Sequence, residues 1–85
     1  MGGRKTFTLS VLNQTGVILY GDYEALFVPT SKGEIAVMAF HTPAILLLSP
    51  GTVSVRSKRK NQVVSKVESG VVYVGENEVV VLINK

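Results

Sequence analysis

The chain predicts an all-β fold, a small β-sandwich or flattened barrel of about eight to ten short strands in two packed sheets. Three observations carry this. Apolar and polar residues alternate with period two, as in Phe7, Leu9 and Val11 against Thr8 and Ser10. Turn-forming residues recur at close spacing, as expected between short strands. Valine is heavily used, and branched residues favour the pleated backbone over the helix.

Residues 6–12 read as a half-buried strand, closed by the turn material Asn13-Gln14-Thr15-Gly16. Asn13-Gln14-Thr15 also fits the glycosylation triplet, but its place between strands makes it a turn. Residues 17–20 resume, Gly21-Asp22 interrupts with a bulge or bend, and residues 23–28 continue. Pro29-Thr30-Ser31-Lys32-Gly33 is a loop before a strand over 34–38. Thr42 could cap a helix with Pro43 in its first position. Too few residues remain before Ser49-Pro50-Gly51 for a typical helix. A tight turn and a buried strand over 44–48 are therefore expected. Further strands are expected over 52–57, 62–68, 71–74 and 79–83. The basic tip at 58–61, Ser69-Gly70 and Gly75-Glu76-Asn77-Glu78 form the connections.

Composition bounds what such a fold can do. Eighty-five residues make one domain, expected over 6–85 after a flexible N-terminus at 1–5. Charged residues are 18%, fewer than usual, which leaves room for apolar surface facing a partner. The longest apolar runs fall far short of the roughly 18 residues a membrane helix needs. With no cysteine and one histidine, there is no second soft ligand for zinc. No nucleophile elbow, phosphate-cradling glycine loop or acid pair suggests catalysis. The chain reads as a non-enzyme with no cofactor, metal or small-molecule ligand.

Two features stand out from the scaffold. Arg56, Lys58, Arg59 and Lys60 crowd one tip, and without them the chain is nearly neutral. That tip reads as a solvated hairpin end keeping a sheet edge soluble. Nucleic-acid binding is disfavoured, because no aromatic residue lies in or beside it to stack a base. The second feature is a pair of loops, residues 31–34 and 40–43, with Phe40 followed by the lone His41. Either Phe40 and His41 close one end of the sandwich, or the two loops form a rim that docks onto another protein.

The stretch Gly33-Glu34-Ile35-Ala36-Val37-Met38-Ala39-Phe40-His41-Thr42-Pro43 resembles the signature of the epsilon subunit of F-type ATP synthases. Leu46-Leu47-Leu48-Ser49-Pro50-Gly51 resembles the block that follows it in that family. Phe7-Thr8-Leu9-Ser10-Val11 is similar to its opening strand, and Glu68-Ser69-Gly70-Val71-Val72-Tyr73-Val74 with Val79-Val80-Val81-Leu82 to its closing hairpin. The likeness runs from Thr6 to Lys85.

The resemblance implies a two-sheet sandwich in the central stalk of a rotary enzyme. It would grip the gamma subunit, sit on the polar loops of the c-ring, and couple ion-driven rotation to ATP synthesis without bond chemistry. It implies a location peripheral to the cell membrane, on the cytoplasmic side. Lys32, Gly33, Glu34, Phe40, His41 and Thr42 match ring-facing loops, with Glu34 as the acidic contact. Ser10, Leu12, Ala44, Ile45 and Leu46 are the expected gamma-facing residues. The chain departs from the pattern at Ala36, where the family has Gly, and at Ala39-Phe40, where it has Pro-Gly. A left-handed backbone at these positions would be costly, so the turn is expected to differ in shape. The family's C-terminal helical hairpin has no counterpart here. The chain reads as a short natural form, because Asn84-Lys85 follow directly on the last strand. The competing reading is a free-standing β-sandwich interaction module.

Overall fold

A computed structural model describes residues 5–39 and 42–84. Those residues form nine strands: β1 (Phe7–Asn13), β2 (Gly16–Tyr23), β3 (Ala25–Thr30), β4 (Gly33–Met38), β5 (Ala44–Leu48), β6 (Gly51–Ser57), β7 (Lys60–Val67), β8 (Ser69–Val74) and β9 (Glu78–Asn84). They build two packed sheets. The larger has the order β2-β1-β9-β8-β5, the smaller β4-β3-β6-β7. All pairings are antiparallel except β1 with β9, which lie side by side in parallel. The all-β sandwich expected from period-two alternation is the fold observed.

Alternation decides what lies between the sheets. Phe7, Leu9 and Val11 of β1 point inward, as do Val79, Val81 and Ile83 of β9 and Val72 and Val74 of β8. Leu26, Val28, Val37, Val53, Val55 and Val67 meet them from the smaller sheet. No polar side chain of the described residues is buried in this core. Stability therefore rests on apolar burial and on the backbone ladders.

Three local expectations are corrected. Gly21 neither interrupts nor bulges β2; it pairs with Leu9 in regular register. The irregularity falls where Val11 pairs Leu19 and Leu12 pairs Val17, leaving Ile18 unpaired. The break between β2 and β3 is the single residue Glu24, where the chain crosses from one sheet to the other. Its N–H donates to the Arg56 carbonyl at 2.9 Å.

Ser69-Gly70 is not a turn but the start of β8. Gly70 is needed for a close approach: a Cβ would strike the Leu82 carbonyl oxygen and come within 2.9 Å of Leu48 Cδ1. Strand 44–48 forms as expected, but it is not buried. As the edge strand β5 it alternates, with Ile45 66% and Leu47 71% exposed. Five consecutive apolar residues looked like a strand covered on both faces, whereas only one face of β5 is covered.

Candidate functional site

The outward positions of the larger sheet line up in register. Ile45 pairs Tyr73, Tyr73 pairs Val80, Val80 pairs Ser10, and Ser10 pairs Tyr20. One step along, Leu47 pairs Val71, Val71 pairs Leu82, Leu82 pairs Leu12, and Leu12 pairs Val17. Both rows cross all five strands. Ser10 is the only polar residue in them. Tyr20, Leu47, Ile45 and Val17 are more than half exposed, with Tyr73 and Leu82 close behind.

Polar residues bound this face at both ends. Towards the β8–β9 turn, Glu78, Thr8 and Asp22 form the next row, and the Thr8 hydroxyl donates to Asp22 Oδ1 at 3.0 Å. Towards the other end stand the paired Ser69 and Asn84, and the Gln14 amide donates to Asn84 Oδ1 at 3.4 Å. A contiguous apolar patch with a polar rim is the signature of a protein-binding surface. It offers no nucleophile or ligand cluster. Among the described residues, no group of three His, Cys, Asp or Glu side chains could hold a metal ion.

The expected gamma-facing residues divide on this geometry. Ser10, Leu12 and Ile45 lie on the apolar face. Ala44 and Leu46 do not: alternation turns them inward, where both pack against the core. The face also contains Leu47, Val71, Tyr73, Val80, Leu82, Val17 and Tyr20, which strand order brings together from distant parts of the chain.

The expected ring-facing residues also divide. Lys32, Gly33 and Glu34 are exposed at the β3–β4 turn. Gly33 takes φ +104, a conformation that favours glycine. The Thr30 hydroxyl organises this turn, accepting from the Lys32 N–H at 3.2 Å and donating to the Gly33 carbonyl at 2.7 Å. Thr42 is exposed but lies at the opposite end of the sandwich, just before Ala44 and its partner Val74. Phe40 and His41 lie outside the described residues. Of the second loop, the described residues Thr42 and Pro43 are set apart from residues 31–34 by the length of β4, five steps of about 3.4 Å, or roughly 17 Å. Residues close in sequence stand at opposite ends because a strand, not a turn, runs between them.

Ala36 sits inside β4, paired with Phe27, and is not among the residues with positive φ. Alanine therefore costs nothing there, and this departure from the family pattern needs no change of backbone shape.

The family model for the ATP synthase delta/epsilon chain β-sandwich domain matches residues 6–85. The chain belongs to that family. It is 33% identical over 75 residues to the ATP synthase epsilon chain of Sulfurimonas denitrificans, covering 88% of this chain and 58% of the relative. It is 34% identical over 77 residues to that of a Psychrobacter species, covering 91% and 56%. The chain thus spans little more than half the length of these curated relatives. Its fold is similar to a chain in the cryo-EM structure of the Euglena gracilis mitochondrial ATP synthase OSCP/F1/c-ring assembly. The TM-score is 0.87 at 22% identity, over all of this chain and 54% of that one. A chain of the Tetrahymena thermophila mitochondrial ATP synthase central stalk/c-ring structure aligns with TM-score 0.77 at 12% identity, over 99% of this chain and 67% of that one.

Proposed function

We propose that this domain is a non-catalytic central-stalk element of a rotary F-type ATP synthase, coupling ion-driven rotation to ATP synthesis. The observation that carries the reading is the pair of apolar rows across the larger sheet, on a chain of the delta/epsilon family. In this reading the face docks onto the gamma subunit, with Ser10, Leu12 and Ile45 inside the contact. The β3–β4 turn, with Lys32, Gly33 and Glu34, meets the polar loops of the c-ring. A sheet face and a sandwich end point in different directions, so one rigid domain can hold both partners at once. Charge at Glu34 sets register and specificity more than affinity. Thr42, at the other end, takes no part in that ring contact. The domain reaches the membrane peripherally, through the complex and on its cytoplasmic side. No helix of the described residues is long and apolar enough to cross a membrane.

Calorimetry with the gamma subunit of the same organism tests this. Tight one-to-one binding is expected, lost when Leu47 and Tyr73 are replaced by Asp. A folded chain that does not bind at about micromolar concentration would contradict the stalk reading and leave a free-standing interaction module.

A further inference from the structure

Two of the hairpins solve their turns with glycine. Gly16 at φ +131 and Gly33 at φ +104 follow the turn residues of β1–β2 and β3–β4. The β6–β7 hairpin does not. Its central residues Lys58 and Arg59 take φ +54 and +68, between the paired Ser57 and Lys60. This is the φ pattern of a type I′ turn, for which Asn-Gly is the preferred sequence. Two long side chains in left-handed backbone are strained, and such strain persists where something other than the turn selects for it.

What these residues add is charge. Arg56, Lys58, Arg59 and Lys60 are all exposed. Without them the remaining five cations face six acids, so this one tip accounts for the positive net charge of +3. Glu24 stands at its base, bonded through its N–H to the Arg56 carbonyl. Glu76 and Glu78 lie at the same end of the sandwich but on the β8–β9 turn of the other sheet. That end is therefore basic at one corner and acidic at another.

We propose that the β6–β7 tip is a docking point for an acidic segment of another protein, and that Lys58 and Arg59 occupy strained turn positions because their charge serves that contact. Charge complementarity identifies the partner class. The whole hairpin, residues 51–67, contains no aromatic residue, so it lacks a platform for stacking bases. Residues 56–62 contain no apolar side chain to insert among lipids. The tip lies at the end of the sandwich opposite Lys32 and Glu34, so the inference does not rest on the stalk reading.

The double variant Lys58→Asn/Arg59→Gly tests both halves, because it removes two charges while supplying the preferred turn. Fluorescence anisotropy would follow binding of a labelled poly-glutamate peptide, with a single-stranded oligonucleotide and phosphatidylserine vesicles as alternative probes. The chain is expected to bind poly-glutamate with marked salt dependence. The variant should bind roughly tenfold more weakly at low salt, with a shallower salt dependence, yet melt at higher temperature. Arg59→Lys should keep most of the binding. Unchanged affinity in the double variant, no binding of poly-glutamate, or tip-dependent binding of only the oligonucleotide or the vesicles would overturn the proposal. A melting temperature that does not rise would overturn the claim that the turn is strained for the sake of charge.

Discussion

The two sheets look alike from inside and unlike from outside. Each contributes inward Val, Leu and Ile residues to one core. On the outer side, the larger sheet carries two apolar rows broken only by Ser10. The smaller carries mixed rows: Met38, Arg56 and Asn61 around the fully buried Ala25 in one, and Ala36, Phe27, Ser54 and Val63 in the next. Folding requires only the inward half of each strand to be apolar. The outer rows of the larger sheet exceed that requirement, whereas the exposed Met38 and Val63 of the smaller sheet stand singly in mixed rows and do not. The difference separates residues that make the fold from residues that use it.

The largest expected effects fall inside. Leu9→Ala empties a fully buried position and should cost about 3 kcal/mol or more, read by chemical denaturation. Gly70→Ala should cost about 2 kcal/mol or more, because its Cβ meets backbone that cannot step aside. If either variant is as stable as the parent, the packing described between the sheets is wrong.

Next come the outer rows. Leu47→Asp and Tyr73→Asp should change stability by less than about 0.5 kcal/mol yet weaken gamma binding by about 2 kcal/mol or more, because each would bury an unpaired carboxylate against an apolar partner. Val63→Asp on the smaller sheet, at a position about as exposed as Leu47, should leave both within about 0.5 kcal/mol. Equal losses from both sheets would erase the contrast.

The smallest thermodynamic effect belongs to Glu34→Lys. The side chain is exposed beside a turn, so the melting temperature should hardly move, while coupling measured in the assembled enzyme should fall. A large drop in melting temperature would make Glu34 a fold residue instead.

Much of this was legible in the chain. Period-two alternation placed β1, β4 and β9 to within a residue or two, and Asn13-Gln14-Thr15 is the turn it reads as. There Asn13 Oδ1 accepts from the Thr15 N–H at 2.8 Å and from its hydroxyl at 2.7 Å. What alternation cannot supply is strand order. The apolar face joins Val17 to Leu47 through three intervening strands, and no local pattern marks them as one surface. The same gap hid the edge position of β5, which turned an expected buried strand into one margin of the apolar face. It also makes residues 31–34 and 40–43 read as one rim, although β4 sets residues 31–34 and Thr42 at opposite ends.

Methyl-resolved NMR during titration with the gamma subunit tests the central claim most directly. Ile45, Leu47, Val71, Val80 and Leu82 should shift or broaden together, while Val63 and Ala36 stay in place. Perturbation confined to Val63, Ala36 and the smaller sheet would contradict the account.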